Sequence, residues 1–117
     1  MQIVIEKRSS ENLLYDVHVE ADLATNETIS TITGLSVDSN PGTSLTYDAY
    51  GSWNINIQAI TYKDGVVAKI GSVMQGKIGG GAQAGQASYT YIMRLLYTTN
   101  INSTPREATI RIKVQDK

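Results

Sequence analysis

No cysteine occurs in the 117 residues, and this excludes disulfide frameworks, thiolate zinc sites and cysteine nucleophiles together. It also favours folding in a reducing compartment. A single histidine cannot supply a multi-imidazole metal site. Neither sign of charge dominates: 10 Lys+Arg stand against 11 Asp+Glu, for a net charge of -1. That balance leaves no electrostatic footprint for nucleic acid or an anionic membrane. No apolar run approaches the length that spans a bilayer. The segment after Met1 lacks the basic stretch and apolar run of a signal peptide. The expectation is one soluble domain over residues 1–117, large enough to bury roughly two-thirds of its unfolded surface, with no metal and no cofactor.

What the chain does hold is Ser, Thr, Asn, Ile, Val and Tyr, while Phe is absent. Beta-branched and aromatic side chains suit a pleated, half-buried surface and lose rotamer freedom on a helix. No long window carries a 3.6-residue apolar stripe. Leu13 to Ala21 instead alternates, with Leu13, Tyr15, Val17 and Val19 on one face and Leu14, Asp16, His18 and Glu20 on the other. Further strands are expected at Ile3 to Ile5, at Thr28 to Thr33 (stopped by Gly34, with Leu35 to Val37 as a continuation) and at Leu45 to Tyr50. Trp53 to Tyr62, Val66 to about Met74, Ala87 to Thr98 and Glu107 to Val114 follow. Asp38 to Gly42 is turn chemistry. Lys63-Asp64-Gly65-Val66 is the strongest hairpin signal, a two-residue type I′ turn with φ > 0 at both central residues. Seven or eight short antiparallel strands at this spacing imply an immunoglobulin-like β-sandwich, with Trp53 in its core as the first inward residue of a central strand.

Gly71 to Tyr91 needs separate treatment. Gly71 to Lys77 is a P-loop but for Ile78, which stands where the magnesium-holding hydroxyl belongs. Gly79-Gly80-Gly81 then follows where a helix must start, at about 1 kcal/mol per glycine relative to Ala. The dinucleotide fingerprint in Gly79 to Ala84 fails likewise, because it runs into strand-like Tyr89-Thr90-Tyr91. The expectation is a mobile connection between strands, with no nucleotide.

Other patterns are equally weak. His18 between Asp16 and Glu20 lacks further His or Cys ligands. Asp38-Ser39-Asn40 lacks the distal Glu of a calcium loop. Asn26-Glu27-Thr28 and Asn102-Ser103-Thr104 are glycosylation sequons, meaningful only in a secreted eukaryotic protein. Nucleophilic catalysis has no evident actors, and nothing selects one carboxylate pair among the eleven acids. No catalytic residue is expected.

Lys7 to Tyr15, Leu23 to Ser30, Gly80-Gly81 to Gly85 with Tyr89, and Arg106-Glu107 running into Ile110 to Val114 together resemble the phage fiber-tail adaptor family. The resemblance spans about Lys7 to Val114. It departs at Asp16 and His18, and in a longer, Tyr-rich segment from Asp38 to Ile57. It implies an immunoglobulin-like virion protein, present in several copies on a particle assembled in the host cytoplasm. Such a protein connects tail and fibre subunits without catalysis.

One feature stands apart from that resemblance. Tyr89, Tyr91, Met93, Leu95 and Tyr97 make one apolar face, yet the opposite face carries Ile92 and Leu96 around Arg94. Ile60 and Tyr62 similarly break the polar side of their strand. A lone sandwich solvates its outer faces, so these residues form a candidate interface that either a neighbouring subunit or an intramolecular loop covers. In the first case Arg94 pairs a carboxylate at the rim. A capsid cement or decoration protein is the nearest rival function. A carbohydrate-binding module using Tyr47, Tyr50, Trp53 and Tyr62 is the rival from a different class.

Overall fold

The structure, a computed structural model, describes residues 2–8, 12–38, 45–80 and 88–115. The protein is all-β. The described residues hold ten strands: β1 Gln2–Arg8, β2 Leu13–His18, β3 Ile29–Asp38, β4 Leu45–Tyr47, β5 Asn54–Ile55, β6 Ile60–Thr61, β7 Val67–Ala68, β8 Val73–Gly80, β9 Ser88–Thr99 and β10 Arg106–Gln115. A four-stranded sheet has the order β1-β10-β9-β3, and a second has β2-β8-β4, with β5 also on β8. Because β2 occupies one side of β8 at residues 73–78, β5 at residues 74–75 joins β4 on the other side. The pair β6-β7 forms a separate hairpin.

Alternation along β9 and β10 builds the core. Tyr91, Met93, Leu95 and Tyr97 are buried, and Ile112, Ile110 and Ala108 are buried opposite the first three. Across from these lie Val17 and Val19 at the end of β2, Met74 and Ile78 of β8, Leu45 and Trp53 in one cluster. Burying each such aliphatic side chain contributes about 1.5–3 kcal/mol, so this cluster is what joins the two sheets.

Several expectations are corrected. The strands are not all antiparallel: β1 runs parallel to β10, from Gln2 opposite Thr109 to Arg8 opposite Gln115. The link to β2 carries the chain to the other sheet instead of back along β1, and alternation alone does not reveal that choice. Gly34 does not stop its strand; β3 runs through it with register shifts at Ile29/Thr31 and Ile32/Gly34, the mark of bulges on a sheet edge. The expected strand from Trp53 to Tyr62 is broken at Asn56. Its buried amide donates to Gln58 O (2.8 Å) and Lys69 O (2.9 Å) and accepts from Ser72 N and Val73 N (3.0 Å each). That satisfies its donors and acceptors together, and it turns the chain out of the sheet. Trp53 is buried, at 5% exposure, but it precedes an edge strand and not a central one.

The Asp64-Gly65 turn is a three-residue loop. Tyr62 N donates to Val66 O (2.9 Å) and Gly65 N to Tyr62 O (3.0 Å), and among the described residues only glycines have positive φ, Gly65 at 88°. A type I turn closed by a glycine bulge has this form. Only Val67–Ala68 continues as strand beyond it.

The glycine stretch brings the largest correction. Its front half is no loop: Val73–Gly80 is the central strand of the second sheet, paired on both sides. Its glycines permit close approach of side chains. A Cβ on Gly76 would stand 2.2 Å from Trp53 Cδ2 and Cε2, and one on Gly79 would stand 2.8 Å from Asn12 Oδ1. The expected mobile part, residues 81–87, lies outside the described residues, as do residues 39–44 of the Asp38 turn and the Tyr89 side chain.

Candidate functional site

The outer face of the four-stranded sheet carries Ile92, Arg94 and Leu96 from β9, all pointing away from the buried residues between them. Leu96 is 37% exposed, Ile92 is half-buried, and Val4 of edge strand β1 is 65% exposed. Arg111 separates Val4 from Ile92 in the same row. Gly34 lies opposite Leu96, and a Cβ there would only reach ordinary contact, 3.4 Å from Leu96 Cδ1.

Arg94 is not left for a neighbour's carboxylate. Its Nη1 donates to Asp38 Oδ2 at 2.8 Å and its Nε sits 3.1 Å from Glu107 Oε1, one partner from each flanking strand. The hydrogen bond to Asp38, then that carboxylate's charge, and then Glu107 raise the guanidinium pKa above its ordinary value. Exposed pairs of this kind add little stability. They hold the guanidinium across the sheet between Ile92 and Leu96.

Ile60 and Tyr62 lie on the other sheet's side. The Tyr62 hydroxyl donates to Asp16 Oδ2 at 2.9 Å, Gln75 Nε2 donates to Asp16 Oδ1 at 2.8 Å, and the Tyr62 ring lies 6.1 Å from the His18 ring. Burial, followed by the hydrogen bond to Asp16 and its charge, pushes the Tyr62 phenol up to about 12. His18 Nε2 is 3.3 Å from Glu20 Oε1, which also accepts from Lys69 N at 3.0 Å. The Lys69 bond first, then His18, lowers the Glu20 pKa. The β6-β7 hairpin is thus fastened over β2, and the five candidate residues form two separate surfaces. Among the described residues no group of three or more His, Cys, Asp or Glu side chains is placed to hold a metal ion.

The four rings of the carbohydrate reading do not gather as a platform. Trp53 is buried and its Nε1 donates to Asp48 O at 2.9 Å, and Tyr62 is fastened to Asp16. Tyr47 and Tyr50 remain exposed, at 42% and 49%.

Sequence reasoning missed an ion pair made by a buried carboxylate with a half-buried arginine. Glu27 takes both Arg106 terminal nitrogens at 2.9 Å, the Thr99 hydroxyl at 2.6 Å and Ala24 N at 3.1 Å. The Thr99 bond is the first cause of its lowered pKa, followed by the Ala24 amide; the Arg106 hydrogen bond and charge add to them. Beside it, the Tyr97 hydroxyl is buried, and burial first, then the Asp22 charge, raises its pKa. Both Glu27 and Arg106 belong to the stretches that carry the family resemblance, at opposite ends of the chain. Spacing alone gave no signal that they meet. Lys7 is buried as well and donates to Gly80 O at 2.7 Å.

The second sheet's outer face also holds an open pocket of about 150 Å³, lined by Asn12, Thr46, Tyr47, Asp48 and Lys77.

No family model and no curated protein matches the chain. Among solved structures, the solution structure of amebosin is 21% identical and has a TM-score of 0.33, with 97% of this chain and 88% of that one covered. Likeness at that level carries no argument about fold or function.

Proposed function

We propose that the chain is an immunoglobulin-like β-sandwich serving as a structural adaptor of a bacteriophage virion. It joins tail and fibre subunits through protein–protein contacts, in several copies and without catalysis. The observation that carries this reading is the outer face of the four-stranded sheet, where Val4 and Leu96 are exposed and Ile92 is half-buried beside a pinned Arg94. Apolar residues gathered on one face mark an interaction site more often than isolated ones do. Strand order supports the immunoglobulin-like part. Lettered along the chain, β1, β2, β3, β4 with β5, β8, β9 and β10 become A to G, and the sheets read A-G-F-C and B-E-D. The immunoglobulin arrangement is A-B-E-D with C-F-G, so the first strand alone has changed sheets. The virion part rests on the resemblance from Lys7 to Val114.

The test is the double variant Ile92→Asp, Leu96→Asp. The purified variant should remain folded and soluble but fail to enter particles. Entry at the wild-type level refutes the interface, and failure to fold assigns the two residues to an intramolecular core. Labelling the wild-type protein on intact particles should mark the tail; labelling of the head overturns the adaptor reading in favour of capsid decoration.

A further inference from the structure

The second sheet has an open edge along β2. Val19 N donates to Ser72 O at 2.9 Å. Hydrogen-bonded pairs alternate in an antiparallel ladder, so Val17, Tyr15 and Leu13 also turn their backbone groups toward β8. The other flank of β8 agrees. Val73 O accepts from Asn56 N and Lys77 O from Asp48 N, which leaves residues 74, 76 and 78 to serve β2. Leu14, Asp16 and His18 therefore aim their N–H and C=O groups away from the sheet, and among the described residues no strand pairs with β2 on that side. An unpaired edge invites another strand unless something guards it. The remaining edges are guarded. β3 is bulged and packs against the 3₁₀ turn Tyr50–Ser52. β4 and β5 are short pieces of 3 and 2 residues, and β1 carries an exposed charge, Glu6. β2 keeps an unbroken register over 6 residues, with neither Lys nor Pro among them. Its carboxylate, Asp16, is already held by Tyr62 and Gln75.

We infer that β2 pairs antiparallel with β2 of a second copy of this chain, about a two-fold axis at Leu14. Side-chain chemistry selects that register. An axis at Asp16 sets two carboxylates directly opposite each other, which is destabilising. An axis at Tyr15 sets Leu14 against Asp16. The axis at Leu14 instead sets Leu14 against Leu14, Leu13 against Tyr15, and the Asn12 amide against the Asp16 carboxylate. Leu13 and Leu14 are 49% and 58% exposed in the single chain, and this pairing covers both. It also uses the clear end of β2, because the β6-β7 hairpin is fastened at Asp16 and Glu20, toward the other end. The two Leu14 residues exchange both backbone hydrogen bonds, and the second sheets of the two copies become continuous. A lone strand edge buries less than a standard interface, so the dimer is weak, with a Kd on the order of 100 μM. The edge is separate from the Ile92–Leu96 face, and the inference does not rest on the virion reading.

Sedimentation of the purified protein should pass from monomer to dimer between about 10 μM and 1 mM. The N–H of residue 14 points outward, so Leu14→Pro removes no bond to β8. That variant and Leu14→Lys should fold and stay monomeric over the same range, and Leu14→Lys carries the test where Leu14→Pro does not fold. The register has its own readout, because the chain has no cysteine. Leu14→Cys places one thiol beside its counterpart at a Cα separation of about 5.5 Å, within disulfide reach. Air oxidation should link that variant into a covalent dimer. His18→Cys, roughly 27 Å from its counterpart at about 3.4 Å per residue, should stay unlinked. A monomer at every concentration overturns the inference, as does dimerisation of Leu14→Lys at the wild-type level or equal linking of the two Cys variants. Loss of the dimer in the folded Ile92→Asp, Leu96→Asp variant also overturns it, by assigning self-association to the other sheet.

Discussion

Replacing Gly76 with Ala should destabilise the domain by about 1–3 kcal/mol, although in most strands the same change stabilises by roughly 0.5–1 kcal/mol. The new Cβ would lie 2.2 Å from Trp53 Cδ2 and Cε2 and 2.7 Å from Cε3. Carbon atoms pack at about 3.5–4.0 Å, so the indole must move by more than an ångström. It has little room to do so. The ring belongs to the core cluster, and its Nε1 is bonded to Asp48 O at 2.9 Å. Overpacking costs about 1–3 kcal/mol, and a broken Nε1 bond adds about 1 kcal/mol. Expulsion of the ring sets the ceiling, at the roughly 3–5 kcal/mol of a Trp→Ala change. Subtracting the usual strand gain leaves the stated range.

Urea unfolding followed by circular dichroism measures the loss, and emission from Trp53, the single tryptophan, reports whether the ring has moved toward water. A double-mutant cycle isolates the clash. In a Trp53→Ala background, which itself should cost about 3–5 kcal/mol, Gly76→Ala should be neutral or stabilising by up to about 1 kcal/mol. Wild-type stability with unchanged emission in Gly76→Ala, or an equal cost in both backgrounds, refutes the reasoning.

Glu27 should govern part of the acid sensitivity. Its pKa is held below 4.5, first by the Thr99 hydroxyl and the Ala24 amide, so its contribution is fully present above that value and disappears as pH falls through the lower folded value. Urea midpoints measured against pH should show a drop on the acid side that is smaller in Glu27→Gln, and an unchanged drop refutes the assignment. Asn56→Ala should strip two amides, Ser72 N and Val73 N, of their acceptor. At about 1–3 kcal/mol each, native-state hydrogen exchange should accelerate at Asn56 to Val73 before β9 and β10 are affected. Tyr62 should resist ionisation up to about pH 12, so ultraviolet titration of Tyr62→Phe should lose a late component and keep the early ones.

Most of the fold was legible wherever one period governed a long segment. β9 and β10 bury the residues that alternation selects, because each has one face on the core and enough length for the period to show. Gly34 and the stretch from Gly71 to Gly80 were misjudged for a shared physical reason. Glycine breaks strands by propensity, but within a sheet it also admits a neighbour's side chain, and only the neighbour reveals which applies. Here the neighbours are Leu96, Trp53 and Asn12, which lie 62, 23 and 67 residues along the chain from Gly34, Gly76 and Gly79. Asn56 hid the end of β5 similarly, since an Asn on the polar side of a strand looks the same whether water or four backbone groups surround it.

The candidate interface was legible as a pattern but not as a place. Ile60 and Tyr62 broke the polar side of one strand and Ile92 and Leu96 that of another, and both breaks allowed cover by a neighbour or by the chain itself. The two sheets divide those answers. On the second sheet the chain supplies its own cover: the β6-β7 hairpin is tied over β2 by Tyr62 to Asp16 and by Lys69 N to Glu20. On the first, no described segment plays that part for Leu96 or Val4, and Arg94 is already satisfied by Asp38 and Glu107. A charge neutralised within its own sheet does not need to be stripped of a partner when a second surface arrives. A flat guanidinium beside two apolar side chains can therefore be covered at lower desolvation cost than a free arginine. By this reasoning Arg94→Lys, which loses the two-sided grip of the guanidinium, should weaken particle entry while leaving the urea midpoint nearly unchanged. Full entry by that variant would show that a fixed Arg94 is not what the face requires.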